Sequence, residues 1–335
     1  MTVKFALLGA GRIGKVHAQA ISANPQAELV AVSDPIPAAA RAVAAACACQ
    51  VKSIDDVAAS TDIDAVIICT PTNTHADLIE LFAHAKKAVF CEKPIDLSVS
   101  RVKACLKTVD ENDTKLMVGF NRRFDPHFIA VRKAIDEGRI GKVEMVQIIS
   151  RDPCPPPPDY IKASGGIFRD MTIHDLDMAR FLLGEEIDTV FATASVLTDP
   201  AIGELGDFDS ASVILTTKTG RHCSISNSRR ATYGYDQRIE VHGSLGMVSA
   251  ENQRPVMIEI ANADGFTRPP LHDFFMTRYT EAYAAEIAAF VEVVRNNKAP
   301  SPSGRDGLIS LILAEAALKS VNTGCAVPVS EIGGE

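Results

Sequence analysis

The chain has 335 residues, a formal net charge of −8 and 47% hydrophobic residues, more than one hydrophobic core usually serves, so two folded domains are expected. The acidic balance, without any cluster of Lys and Arg, excludes a nucleic-acid partner. The opening run at 4–9 is too short and too soon broken by glycine for a signal peptide or membrane span, so a cytoplasmic protein is expected.

Residues 4–120 alternate short apolar runs with helical patterns, which predicts stacked βαβ units and a doubly wound parallel sheet. Strands are expected at 4–10, 29–34, 65–70, 88–92 and 115–120, with a weaker one near Val51. This Rossmann-like domain is placed at 1–120 and a second α/β domain at 121–335. There a helix is predicted over 124–137 and a strand over 143–150, followed by Pro153-Cys154-Pro155-Pro156-Pro157-Pro158. Consecutive prolines supply no ladder donors, so a stiff loop is expected at 153–158. A helix over 170–183, an open and mainly antiparallel sheet between 189 and 259, and helices over 281–296 and 305–321 complete the reading. The last two could pack on either domain.

The eight cysteines form no CxxC pair, and Cys69 and Cys91 sit in apolar runs where a thiol behaves as a small hydrophobe. No histidine joins cysteine or carboxylate at zinc spacing, so no metal is expected.

Chemistry begins at Gly9-Ala10-Gly11-Arg12-Ile13-Gly14, directly after an apolar strand and opening a helix. The glycines permit a tight turn, close approach of backbone N–H groups to a pyrophosphate, and close helix–strand packing. Asp34 ends the second strand twenty residues after Gly14, where a carboxylate can accept from a ribose diol or serve as an ordinary turn residue. Pro35, Ile36 and Pro37 follow it, with no arginine for a 2′-phosphate, so the cofactor is expected to be NAD rather than NADP. Thr70, Asn73, His75, Glu92 and Lys93 lie at carboxyl ends of parallel strands and can reach the nicotinamide half. Asn73 can equally cap a helix, and His75 can equally be a surface residue.

Oxidising a secondary alcohol needs a base, electrostatic help for the developing alkoxide and a hydride acceptor. Asp170 and His174 stand four apart, on one face of a helix, and Lys93 lies at the mouth of the cofactor sheet. With GAGRIG at 9–14, CEKP at 91–94, GFNRRFD at 119–125 and DMTIHDLDMARFL at 170–182, the chain resembles the glucose-fructose oxidoreductase / inositol dehydrogenase (Gfo/Idh/MocA) family over essentially its whole length. The resemblance implies a Rossmann domain followed by an open-faced α/β domain, and a homo-oligomer, tetramer or dimer, formed through that sheet. It implies Lys93, Asp170 and His174 as the catalytic group: His174 the acid/base, Lys93 the cation holding the hydroxyl, Asp170 a polar anchor.

Further stretches at 150–153, 164–170 and 234–241 look like the branch of that family acting on inositols. The resemblance then implies oxidation of a cyclic polyol, myo-inositol at C2 foremost, with Arg122, Asp152, Tyr160 and Tyr235 as candidate contacts to ring hydroxyls. The alternatives are scyllo-inositol or another sugar as substrate, or a regulator that binds the cofactor without turnover.

Overall fold

The structure, a computed structural model, describes residues 2–334. The chain divides into two compact units, Met1–Asp125 with Thr280–Leu311, and Pro126–Tyr279 with Ile312–Glu335.

The first unit holds strands β1 (Val3–Leu8), β2 (Ala27–Ser33), β3 (Gln50–Val51), β4 (Ala65–Ile68), β5 (Ala88–Glu92) and β6 (Leu116–Gly119) in the order β3-β2-β1-β4-β5-β6. Every pair is parallel. Helices α1 (Arg12–Ala23), α2 (Pro37–Cys47), α3 (Ile54–Ala59), α4 (His75–His84) and α5 (Val99–Glu111) connect them. With helices against the sheet, the strands must be apolar along their length, and every residue of β4 and β6 is buried. The helix Thr280–Asn296 belongs to the same core: Phe290 meets Phe5 and Phe90 with ring centroids 6.0 and 5.7 Å apart. The strand order reverses between β1 and β4, which places the ligand crevice of such a sheet outside their carboxyl ends.

The second unit is built on a seven-stranded sheet of β7 (Val143–Arg151), β8 (Ile187–Ser195), β9 (Ser210–Thr217), β10 (His222–Ser228), β11 (Asp236–Gly243) and β12 (Gly246–Ala250), in the order β12-β11-β7-β10-β9-β8 with a short strand, Val327–Pro328, on the edge. It is antiparallel as expected, except that β7 and β10 pair in parallel. Its strands alternate: Ala211, Val213 and Leu215 of β9 face inward, while Ile214 is 42% exposed. Helices α6 (Pro126–Asp136), α7 (Pro158–Ser164) and α8 (Ile173–Leu183) lie in this unit, and α8 packs against β7 and β10.

Two expectations change in detail. The proline run is irregular only to Pro157, because Pro158 takes the first position of α7, where a missing N–H is no loss. The helix expected over 170–183 begins as a π-helical turn, Phe168–Thr172, and becomes α-helical only at Ile173. No helix among the described residues is long and apolar enough to cross a membrane.

Candidate active site

The glycine turn has the shape a dinucleotide requires. Gly9 has φ +95°, and a Cβ there would lie 2.5 Å from the carbonyl oxygen of Cys69; a Cβ on Gly14 would lie 2.0 Å from the Gly9 carbonyl oxygen. Any side chain at either position would force β1, β4 and α1 apart. A Cβ on Gly11 would meet nothing within 4 Å, so the backbone there faces open space. Gly11 is also the N-cap of α1 and offers no side-chain cap, which leaves the first amides of the helix, those of Arg12, Ile13 and Gly14, for an anion. Asp34 is held at the edge of this turn: its Oδ2 accepts from the Ala10 N–H at 2.6 Å and its Oδ1 from the Ile36 N–H at 2.7 Å. Each oxygen keeps a second lone pair for a ribose hydroxyl. These residues fit an NAD.

At the neighbouring strand ends the candidates separate. Thr70 Oγ1 pairs with Thr74 Oγ1 at 2.7 Å, and Asn73 is exposed in the turn Thr72–Thr74 without capping α4, so its amide points to solvent rather than to the helix. His75 is not a surface residue. It is buried, with Nδ1 2.8 Å from the Pro94 carbonyl oxygen and Nε2 2.8 Å from that of Thr70, so its ring faces backbone on both sides and a neutral ring donates to one of the two carbonyls. Burial pushes its pKa below the ordinary value despite the two carbonyls. Lys93, half-buried, follows β5, and the Glu92 carboxylate turns inward to accept from His17 Nε2 at 2.6 Å. Cys69 and Cys91 are buried free thiols whose pKa burial pushes well up, consistent with inert packing.

In the second unit Asp170 lies in the π-helical turn and His174, half-buried, in the first turn of α8. The Asp170 carboxylate accepts from the Tyr160 hydroxyl at 2.8 Å and faces the Arg229 guanidinium at 3.6 Å. Arg229 is 1% exposed and also lies 3.4 Å from Asp207, whose Oδ1 accepts from the Ile167 N–H. Gly166, at φ +86°, permits this approach, since a Cβ there would stand 2.7 Å from Asp207 Oδ1. The residues on either side of His174 are pinned as well: the Thr172 hydroxyl donates to Asn227 Oδ1 at 2.7 Å, and Asn227 Nδ2 donates to the buried Asp175 at 2.8 Å. Arg229 and Asn227 carried no sequence signal, since they stand in the polar run Ser226-Asn227-Ser228-Arg229-Arg230, where no spacing singles them out.

The candidate substrate contacts also divide. Arg122 is buried in the turn Asn121–Phe124 of the first unit, and Asp152 follows β7 with its N–H on the Ser228 carbonyl. Tyr160 is spent on Asp170. Tyr235 is buried edge-on to Phe274 and Tyr279, a packing position, whereas the exposed tyrosine of that stretch is Tyr233, whose hydroxyl accepts from Arg151 at 3.1 Å and donates to Asp236 at 2.5 Å.

A doubly wound sheet with a pyrophosphate-shaped turn, followed by a unit that presents a braced carboxylate and histidine, defines a dinucleotide-dependent oxidoreductase. The chain belongs to the Gfo/Idh/MocA oxidoreductase family and binds NAD: the family's NAD-binding Rossmann fold matches residues 3–120 and its C-terminal domain residues 128–249. It is 70% identical to an inositol 2-dehydrogenase of Rhizobium meliloti (strain 1021), over 96% of this chain and 97% of that one. Among solved structures it is similar to a myo-inositol dehydrogenase from Corynebacterium glutamicum, at 45% identity and a TM-score of 0.95, covering 98% of this chain and 99% of that one. It is also similar to a scyllo-inositol dehydrogenase from Lactobacillus casei with bound NAD(H) and scyllo-inositol, at 29% identity and a TM-score of 0.92, covering 98% and 100%.

Proposed function

We propose that the chain oxidises myo-inositol with NAD at the carbon bearing the axial hydroxyl, giving 2-keto-myo-inositol. What carries this reading is the 70% identity to an inositol 2-dehydrogenase along nearly the whole chain, with Lys93, Asp170 and His174 all present. Bound NAD supplies the hydride acceptor. His174 takes the hydroxyl proton as the C–H hydride leaves, and its partial exposure gives that proton a route to water. The Lys93 ammonium stabilises the developing alkoxide. Asp170, fixed by Tyr160 and facing the Arg229 guanidinium, accepts from a neighbouring ring hydroxyl in this reading, with Arg122 and Asp152 as further candidate contacts. An axial oxygen leaves its hydrogen equatorial at the ring edge, where it can be aimed at the cofactor.

A site built to hydrogen-bond many hydroxyls rejects analogues that leave its polar groups unpaired. The test is kcat/KM with NAD for myo-inositol against scyllo-inositol, glucose and galactose, with the ketone product identified. Preference for myo-inositol is expected; efficient turnover of a pyranose alone would reassign the enzyme to sugars. We place the enzyme in the cytoplasm as a homo-oligomer, with the outer sheet face as the contact. There Phe191 and Ile214, 43% and 42% exposed, are direct cross-strand partners.

A further inference from the structure

Two buried histidines flank Lys93, and neither has a part in the chemistry above. His17, in α1 one turn beyond Gly14, has no exposure and bonds through Nε2 to the Glu92 carboxylate at 2.6 Å, on the residue preceding Lys93. The rings of Phe90 and Tyr283 stand edge-on to it at 5.1 and 5.6 Å. Glu286, from the helix Thr280–Asn296, approaches the same nitrogen at 4.0 Å, and neither of its buried carboxylate oxygens has a hydrogen-bond partner. Burial, and then the charge of Glu92, push the Glu286 pKa well above the ordinary carboxyl value. The neutral form of Glu286 is therefore favoured, and Glu92 is the group that His17 meets at hydrogen-bond distance. The three ligand atoms lie within 4.8 Å of one another, but the contact between His17 and Glu92 has the length of a direct hydrogen bond. Glu92 has little freedom, since a Cβ on Gly119 of β6 would fall 3.1 Å from its carboxylate.

On the other side, His75 of α4 sits between the carbonyl of Pro94, the residue following Lys93, and that of Thr70 after β4, with Nδ1 2.8 Å from the first, to which its ring N–H can donate. Burying such groups costs free energy that an apolar side chain would not. Both fall on the immediate neighbours of Lys93, and both link it to the elements that form the cofactor crevice.

We infer that His17 and His75 are positioning residues for Lys93: His17 holds Glu92 and His75 holds Pro94, so the ammonium between them is fixed relative to α1, whose N-terminus receives the pyrophosphate. This rests on Lys93 being the catalytic cation proposed above. A misplacement of about 1 Å at a reacting centre costs on the order of 100-fold in rate.

The experiment measures kcat per NADH-binding site, and the Kd for NADH, in Glu92→Met, Glu92→Gln, His75→Leu and His75→Asn, each also in a Lys93→Ala background. Glu92→Met, close to glutamate in length but without an oxygen for His17, and His75→Leu are expected to lower kcat about 10- to 100-fold while NADH affinity stays within about threefold. Glu92→Gln, whose amide oxygen still accepts from His17, and His75→Asn, which keeps a donor toward Pro94, are expected to regain most of the loss. In the Lys93→Ala background the same substitutions are expected to cost less than about threefold, because residues acting through one partner are not additive. Equal losses in both backgrounds, a fall in NADH affinity matching the fall in kcat, or wild-type kcat per site in Glu92→Met and His75→Leu would overturn the positioning role while leaving Lys93 in place. Wild-type kcat in Lys93→Ala alone would instead remove the catalytic reading beneath it. If His75→Leu fails to fold, Glu92→Met carries the test.

Discussion

In the first unit β4 and β6 are buried along their whole length, while in the second β9 alternates residue by residue between core and outer face. Covering a parallel sheet on both faces leaves only the strand ends for polar work, so Asp34, Thr70 and Lys93 stand out where their strands stop. A sheet with one open face carries polar residues along every strand, and none is singled out by position. There the proposed acid/base, His174, stands on a helix, α8, next to Asp175, which Asn227 braces from the sheet. On the proposed function, cofactor binding falls to one unit and the acid/base to the other.

The sharpest way to break that assignment is His174→Ala. Loss of a general base is expected to lower kcat by roughly 10²–10⁴. Because the glycine turn and Asp34 lie wholly in the first unit, NADH affinity by fluorescence titration should stay near wild type. A variant that lost both together would show that the two units do not divide the work this way.

Asp34→Ala tests the first unit alone. A hydrogen bond to a charged group contributes about 1.5–3 kcal/mol, so the KM for NAD is expected to rise about tenfold or more and discrimination against NADP to relax. Asp34→Asn should lose less, since an amide oxygen can still accept from Ala10. Steady-state kinetics with both cofactors decides it; equal KM for NAD in wild type and Asp34→Ala would take Asp34 out of ribose recognition.

The parts legible in the sequence are those written locally. The glycine turn follows an apolar strand and opens a helix, and the motifs around Lys93, Asp170 and His174 keep their spacing along the chain. What joins distant segments was not legible. Alternation is the same in parallel and antiparallel strands, so nothing distinguished the β7–β10 pair. Burial of His75 between two carbonyls follows from how α4 packs, and the meeting of His17 with Glu286 depends on the helix Thr280–Asn296 returning to the first core. The π-helical turn at Asp170 has no composition of its own. Pro158 did carry a signal, since proline is favoured at a helix start, but the run before it reads as loop.

The outer face of the second sheet gives a smaller effect. Phe191→Lys with Ile214→Glu should shift the protein toward monomer in sedimentation velocity, with the fold retained by circular dichroism, because both side chains leave the core side of β8 and β9 untouched. Val213→Glu, one residue away but inward and fully buried, should instead unfold the second unit. Unchanged assembly in the outer-face variant would move the subunit contact elsewhere.

The smallest effect, and the one most specific to the first core, concerns Glu286. Its folded pKa is raised well above the ordinary value of 4.5, first by burial and then by the charge of Glu92. Above pH 4.5 the unfolded chain releases this proton while the folded chain keeps it. The native state therefore binds more protons, and stability falls as pH rises, by at most about 1.4 kcal/mol per pH unit, until the folded group itself ionises. Glu286→Gln removes the titration while keeping the shape, so this part of the slope should vanish. His17, Glu92 and the Tyr283 ring remain around the amide. Thermal melts of both proteins at pH 5, 6, 7 and 8 should show the variant gaining on the wild type as pH rises from 5 until the folded group ionises, a trend that lost packing or a lost neutral hydrogen bond would not produce. A difference in Tm that stayed flat from pH 5, or moved in favour of the wild type as pH rose, would mean that Glu286 is already ionised in the folded protein across that range.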